Sequence, residues 1–226
     1  MLRAIVFDFD GVIADTEPLH FLGFRDVLAD EQVALSETEY YARYLGYDDV
    51  GALRAIGSDH GRTWTIDHVA DLAIRKAARV EALERDMSVL FPGAEAAIHR
   101  AAQAVPLAIA SGALGAEIRR VLDRADLTRY FAAIVAAEDT PASKPAPDAY
   151  RRAVARLADA LGGALRAVDC VAIEDSRWGL ESARTAGLRT VAIATSYDAS
   201  ELGDADLVLP DIAALDVETL RALFDE

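Results

Sequence analysis

The sequence is poor in cysteine, in positive charge and in long apolar runs, and each shortage excludes a class of protein. The single cysteine, Cys170, cannot form an internal disulfide, and its apolar neighbours in VDCVAIE predict a buried, unreactive thiol. The net charge of -15, with no run of Lys and Arg, argues against nucleic acid or an anionic membrane as a partner. The first apolar run, AIVF, ends at Asp8 and is too short for a signal peptide, and no later run is long enough to span a membrane. We therefore expect a cytoplasmic protein, and a monomer.

The sequence does contain a regular alternation of short apolar runs and helical stretches. Its 226 residues are 53% hydrophobic, which is enough for one large domain or for a core with a smaller satellite. The apolar runs are AIVF, PLAIAS, AAIVAAE, VDCVAIE, TVAIAT and ADLVLP. Between them, apolar residues recur every three or four positions. This pattern predicts an α/β fold in which helices cover both faces of a parallel sheet.

One segment interrupts the alternation. From about Glu17 to Met87 the chain has no strand-like run but several helical ones, including the long stretch TIDHVADLAIRKAARVEALER. A Pro-Gly pair in FPGAEAAI then marks the return to the alternating pattern. We predict a core formed by residues 1–16 and 88–226, with a helical domain inserted at residues 17–87.

Polar residues end or follow four of the apolar segments. Ligands of open α/β sheets bind beyond the carboxyl ends of the strands, so these residues are candidates for a site. Each one alone is better explained as a helix cap or a turn former. Together, several acids, a base and a hydroxyl at one sheet edge require a metal ion and an anion to balance their charges. The residues are Asp8 and Asp10, Ser111 and Gly112, Lys144, and Glu174 and Asp175.

The same residues lie in four motifs that resemble those of the haloacid dehalogenase superfamily, in its phosphatase and β-phosphoglucomutase-like branch. DFDGVIADT matches the first motif, DxDGxxxDT; ASG matches the second, KPAPD the third and IEDSRWGLESARTAG the fourth. The motifs follow the family order and the resemblance covers nearly the whole chain. It implies a Rossmann-like core with a cap domain, which the inserted helical segment would form.

The resemblance implies catalytic roles for three residues. Asp8 would be the nucleophile that forms an aspartyl phosphate. Asp10 would be the general acid and then the general base, reached by a chain reversal for which Gly11 tolerates positive φ. Lys144 would place a positive charge between Asp8 and the phosphate. The simpler alternatives are a helix-capping acid for Asp8 and a solvated surface residue for Lys144.

The resemblance also implies a metal site and a phosphate site. A hard cation such as Mg²⁺, which binds through few carboxylates, suits the acids. Ser111 and the amide of Gly112 would bind the phosphoryl oxygens, helped by the beginning of the helix LGAEIRRVL; an ordinary N-cap is the alternative. Asp15 and Thr16 would order the loop and cap the first cap helix. The expected metal ligands are Asp8, the backbone carbonyl of Asp10, Asp175 and, directly or through water, Glu174.

Two positions bear on the reaction. Dehalogenases of the superfamily attack carbon and lack an acid at the position of Asp10, so phosphorus chemistry is preferred here. The caps of the mutases carry an Arg about three residues after a Gly that corresponds to Gly46, but Asp49 stands there and would repel a second phosphate. Arg43 and Arg54 flank this region and would compensate, or they are solvated helix residues.

Two residues of the helical insert are expected to bind substrate. His20 matches a family position where the cap begins and would steady Asp10, a plain polar contact being the alternative. Lys76, with Arg75 beside it, lies where related enzymes present a Lys to the site. Four tyrosines are expected to pack between cap helices rather than to bind a sugar: Tyr40, Tyr41, Tyr44 and Tyr47.

We therefore predict a Mg²⁺-dependent phosphatase that hydrolyses a small phosphorylated metabolite, such as a sugar phosphate, through an aspartyl phosphate. A β-phosphoglucomutase-like mutase is the alternative, with a second hydroxyl in place of water as acceptor. A binding protein on the same scaffold would have lost at least one of the motif residues. A receiver-type signalling domain would need no inserted cap.

Overall fold

The computed structural model describes residues 1–44, 47, 49–86 and 88–225. In this part of the chain, six strands form one parallel sheet. Their bounds are β1 Ala4–Phe7, β2 Leu107–Ala110, β3 Phe131–Val135, β4 Cys170–Glu174, β5 Arg189–Ile193 and β6 Leu207–Leu209. The order across the sheet is β3-β2-β1-β4-β5-β6, so β1 lies between β2 and β4. Each predicted apolar run contains one strand, or all of that strand except its first residue, which confirms the parallel-sheet prediction.

The described residues form α-helices both in the insertion and between the strands. Their bounds are α1 Glu17–Asp30, α2 Glu37–Arg43, α3 Asp49–Asp59, α4 Ile66–Asp86, α5 Ala94–Ala104, α6 Gly115–Arg124, α7 Asp148–Ala160, α8 Arg177–Ala186 and α9 Val217–Ala222. None of these described helices is both long and apolar enough to cross a bilayer.

The chain divides into two compact units, Met1–Asp15 with Leu90–Glu226 and Thr16–Val89. The second unit, called here the helical unit, begins one residue before and ends two residues after the predicted insertion of residues 17–87. It contains α1 to α4.

The sheet is buried because helices cover it. All residues of β1, β2 and β4 are buried, as expected of parallel strands that are apolar on both faces. The register pairs Phe7 of β1 with Ile109 of β2 and with Ile173 of β4. The residues that follow or end these three strands therefore lie at one edge of the sheet. Cys170 is fully buried, which confirms the predicted burial, and burial raises the pKa of its thiol to about 12, as expected of an unreactive cysteine.

The helical unit has its own core, to which α1, α3 and α4 contribute. The prediction of tyrosine packing is confirmed for Tyr40 and Tyr44, which are buried. It is wrong for Tyr47, which is 56% exposed, and holds only in part for Tyr41, which is 37% exposed and contacts the ring of Tyr40.

Thr16 occupies the N-cap position of α1, as predicted; its carbonyl accepts from the amides of Leu19 and His20, and its side chain makes no capping hydrogen bond. The predicted counterpart of the mutase glycine, Gly46, lies outside the described residues.

Candidate active site

The turn after β1 carries Asp8 and Asp10. The amide of Asp8 donates to the carbonyl of Ile173 at 2.9 Å, so the hydrogen bonding of the sheet continues as far as this residue. Asp10 lies two residues further on and is partly exposed. Gly11 reverses the chain with φ +73°, as predicted, and a Cβ at this position would lie 1.9 Å from Oδ2 of Asp175. Glycine is therefore required both by the turn and by the approach of Asp175.

Three buried carboxylates meet at this edge of the sheet. Oxygens of Asp8, Glu174 and Asp175 all lie within 4.8 Å of one another. The pKa of Asp8 is raised well above its ordinary value, and the pKa of Asp175 is raised to about 6. Burial is the larger cause for both residues, and the negative charge of Glu174 is the next. The cause is that a carboxylate loses its hydration in the interior and meets like charges there. The cluster therefore favours a cation as its partner.

Lys144 supplies one positive charge to this cluster. Its Nζ lies 2.9 Å from Oδ2 of Asp8 and 2.5 Å from Oε1 of Glu174. Burial alone would lower the pKa of Lys144, but the charges of Asp8 and Glu174 raise it above its ordinary value. One ammonium against three carboxylates leaves two negative charges when all are ionised. A divalent cation balances them, and a set of oxygen ligands suits a hard cation, so the residues present fit a metal ion.

The prediction from the sequence missed three hydroxyl groups that contact the acid cluster. One belongs to Ser176, the N-cap of α8, which donates to Oε2 of Glu174 at 3.3 Å. The hydroxyl of Tyr150, in the first turn of α7, donates to Oε1 of Glu174 at 2.6 Å. Ser196 follows β5 and donates to Oδ2 of Asp175. Ser196 could have been found by extending the strand-end rule to the fifth strand. Tyr150 carries no such signal, because its position in the helix is that of an ordinary core residue.

Ser111 and Gly112 follow β2, the neighbour of β1. Ser111 is buried; its amide donates to a carbonyl of β3 at 3.0 Å, and its hydroxyl accepts from the amide of Ala113 at 3.0 Å. The beginning of α6 was expected to help bind phosphate. That expectation is wrong for the amide of Gly115, because it donates to the carboxylate of Glu138 at 3.1 and 3.2 Å.

His20 and Lys76 contact each other within the helical unit. Nζ of Lys76 lies 2.7 Å from Nδ1 of His20, 2.6 Å from Oδ1 of Asp49, and 4.6 Å from the centre of the Phe24 ring. Burial, and next the charge of Lys76, lower the pKa of His20 to about 4. His20 is therefore neutral at pH 7, and its Nδ1 accepts a hydrogen bond from the ammonium of Lys76. Asp49 and Lys76 form a close ion pair.

Arg43 and Arg75 of the insert are half-exposed and pair with acids of the same unit. Arg43 lies 2.6 Å from Asp59, and Arg75 contacts Asp30 on α1. Arg54 is exposed. These positions agree with the alternative of solvated helix residues.

The fold and the acid cluster agree with a family assignment. The family model of haloacid dehalogenase-like hydrolases matches residues 5–193. The chain therefore belongs to the haloacid dehalogenase-like hydrolase family, as the four motifs predicted.

Individual relatives place the chain within this family. The plasmid-encoded protein CbbY of Cupriavidus necator is 34% identical, and the match covers 93% of this chain and 86% of that protein. Fructose-1-phosphate phosphatase YqaB of Escherichia coli is 30% identical, and the match covers 84% of this chain and 95% of that protein. β-Phosphoglucomutase of Bacillus subtilis is 27% identical, and the match covers 100% of this chain and 96% of that protein. The crystal structure of CbbY from Rhodobacter sphaeroides with xylulose-1,5-bisphosphate matches with a TM-score of 0.79 and 27% identity, over 95% of this chain and 96% of that one. The chain thus lies in the phosphatase and β-phosphoglucomutase-like branch.

Proposed function

We propose that the protein is a Mg²⁺-dependent phosphatase that hydrolyses a small sugar phosphate through an aspartyl phosphate on Asp8. The observation that carries the proposal is the convergence of Asp8, Lys144, Glu174 and Asp175, which come from separate parts of the chain. The likeness to a fructose-1-phosphate phosphatase supports a sugar phosphate as the substrate class.

In the first step, a carboxylate oxygen of Asp8 attacks phosphorus. The bond between phosphorus and the leaving oxygen breaks as Asp10, in its acid form, gives that oxygen its proton. Lys144 offsets charge on Asp8 and on the phosphoryl group, and Ser111 and the amide of Gly112 bind phosphoryl oxygens. The products are an alcohol and the aspartyl phosphate.

In the second step, Asp10 is a carboxylate and takes a proton from water. The water oxygen attacks phosphorus, and the bond between phosphorus and Asp8 breaks. Inorganic phosphate leaves, Asp8 is again a carboxylate, and Asp10 again holds a proton. Both residues have then returned to their starting protonation states.

The proposed metal ligands are Asp8, the carbonyl of Asp10, Asp175 and Glu174. When bound, Mg²⁺ supplies positive charge that offsets the acids and the phosphoryl oxygens. Oε1 of Glu174 already accepts from Lys144 and Tyr150. These contacts favour the water-mediated alternative for Glu174.

His20 and Lys76 stay as proposed substrate-binding residues of a cap domain. The charge of Lys76 is offset by Asp49, and His20 is neutral, so the three side chains together carry no net positive charge. This balance supports a leaving group rich in hydroxyls over one that carries a second phosphate.

The test is Asp8→Asn, assayed by phosphate release from a panel of sugar phosphates with Mg²⁺. Turnover is expected to disappear while the fold is kept, because the amide is a poor nucleophile of nearly the same shape. The exposed acid Asp204, replaced as Asp204→Asn, serves as the matched control and is expected to keep wild-type turnover. More than a few per cent of wild-type activity in Asp8→Asn would exclude Asp8 as the nucleophile.

The mutase is a second candidate because the relative from Bacillus subtilis covers the whole chain. Incubation with β-glucose 1-phosphate separates the two reactions. Free phosphate supports hydrolysis, whereas glucose 6-phosphate identifies a mutase.

A further inference from the structure

Tyr150 is a large side chain that contacts the acid cluster and that the proposed reaction does not use. It is fully buried in the core between α7 and the sheet, and its hydroxyl reaches Oε1 of Glu174 at 2.6 Å. Phenylalanine would fill the same space, so the hydroxyl is what distinguishes this residue from an ordinary core aromatic.

The hydroxyl of Tyr150 shares its acceptor atom with Lys144. Oε1 of Glu174 receives both Nζ of Lys144 at 2.5 Å and the phenolic oxygen at 2.6 Å. The other oxygen, Oε2, has longer contacts of 3.3 Å with the amide of Asp175 and with the hydroxyl of Ser176. The two short hydrogen bonds therefore orient the carboxylate.

Lys144 in turn contacts the proposed nucleophile. Its Nζ lies 2.9 Å from Asp8 and 5.2 Å from the centre of the Tyr150 ring. The ammonium is thus held by Glu174 on one side and by the face of the ring on another. A neutral donor on Oε1 also weakens the attraction of Glu174 for Lys144, which leaves more of the positive charge available at Asp8.

We propose that Tyr150 is a positioning residue, whose hydroxyl fixes Glu174 and, through Glu174, the ammonium of Lys144 at Asp8. The proposal rests on the proposed function, in which Asp8 is the nucleophile. It assigns the hydroxyl an effect on the reaction rate that is separate from its contribution to packing.

The test is Tyr150→Phe, which removes the hydroxyl and keeps the ring. With 4-nitrophenyl phosphate and saturating Mg²⁺, we expect kcat to fall about tenfold with KM nearly unchanged, the size of effect of one hydrogen bond to a charged group. The matched control is Tyr44→Phe, another buried tyrosine whose hydroxyl donates to a carboxylate, that of Asp59 at 2.8 Å. It is expected to keep the wild-type kcat.

A second readout needs neither activity nor metal. The chain contains two lysines, Lys76 and Lys144, so the protein labelled with ¹⁵N-lysine gives two side-chain ammonium signals in NMR spectra. In metal-free Tyr150→Phe the Lys144 signal is expected to shift while the Lys76 signal stays in place. Lys144→Arg assigns the signals, and Tyr44→Phe is expected to leave the Lys144 signal unchanged.

A double-mutant cycle with Glu174→Gln tests whether Tyr150 acts through Glu174. If it does, Tyr150→Phe shifts the Lys144 signal much less in the Glu174→Gln background than in the wild type. Glu174→Gln alone must move the Lys144 signal, which keeps the proposal testable if Tyr150→Phe fails to fold. An unchanged kcat and an unchanged Lys144 signal in folded Tyr150→Phe would overturn the positioning role even if its melting temperature falls. Turnover that survives in Asp8→Asn would instead overturn the proposed function.

Discussion

Gly179 lies at the third position of α8, directly beside the carboxylate of Glu174. A Cβ at this position would lie 1.9 Å from Cδ of Glu174 and 2.0 Å from both of its oxygens. Ordinary van der Waals contact begins at 3.4 Å, so Gly179→Ala requires Glu174 to move by about 1.5 Å. The carboxylate is the free end of a side chain, and it can move, but only by leaving its present partners.

The cost of this movement follows from those partners. Glu174 is fully buried and accepts from Lys144 at 2.5 Å and from Tyr150 at 2.6 Å, so no bulk water replaces a lost hydrogen bond. Each hydrogen bond to a charged group contributes about 1.5 to 3 kcal/mol, and losing both costs about 3 to 6 kcal/mol. Alanine favours the helix over glycine by about 1 kcal/mol. We expect Gly179→Ala to lower the free energy of unfolding by about 2 to 5 kcal/mol.

Urea unfolding measures this change, and phosphate release measures the accompanying loss of kcat. The control is Gly203→Ala, since a Cβ at Gly203 meets no atom within 4 Å and its φ is not in the left-handed region. It is expected to stay within about 0.5 kcal/mol of the wild type. If Gly179→Ala matched Gly203→Ala in stability and kept its kcat, the tight placement of Glu174 would be refuted.

Three further predictions concern protonation and metal binding. The pKa of Asp175 is raised from 3.8 to about 6, so between these pH values the folded metal-free protein holds a proton that the unfolded chain releases. This difference contributes about 3 kcal/mol to the free energy of unfolding. The contribution is present below pH 4 and is lost as pH rises through 6. Mg²⁺ should therefore raise the melting temperature more at pH 7.5 than at pH 5, and equal shifts would contradict this. His20, with its pKa lowered to about 4, should destabilise the fold as pH falls from 6.5 to 4, and an imidazole NMR titration near 6.5 would disprove its burial beside Lys76. Ser196→Ala removes a hydrogen bond that lowers the pKa of Asp175, so Asp175 should hold its proton more strongly and bind the metal less well. The affinity for Mg²⁺, measured by calorimetry at pH 6, should therefore fall severalfold. Ser200 is exposed, and Ser200→Ala serves as the control.

The sheet was predictable from the sequence because its strands are buried on both faces. AIVF becomes β1 with all four residues buried, and the other apolar runs behave in the same way. The order of the strands was not predictable from the runs themselves, because an apolar strand carries no information about its neighbours. The placement of β1 between β2 and β4 therefore comes from the structure alone, and it is what brings Asp8 beside Glu174.

The candidate site was predictable where a polar residue follows an apolar strand, as Asp8 and Asp175 do. It was not predictable where a residue has a second, ordinary reason for its position. Tyr150 packs in the core like any aromatic of a helix, and only the folded structure shows that its hydroxyl contacts Glu174. The capping of α6 was also poorly predicted, because a cap depends on the backbone at the helix start. Thus the amide of Gly115 is capped by Glu138, 23 residues further along the chain.

The electrostatics of the cluster connect its stability with its proposed chemistry. Burial raises the pKa of Asp8 and Asp175 in the metal-free protein, so each side chain holds its proton more strongly than it would in water. The same burial strengthens their attraction to a cation, because charges interact more strongly where water is excluded. Lys144 offsets part of the charge, while Gly11 and Gly179 leave the space that the carboxylates of Asp175 and Glu174 occupy. Such a cluster would be costly without a cation to offset its charge, and this cost supports the proposed metal site.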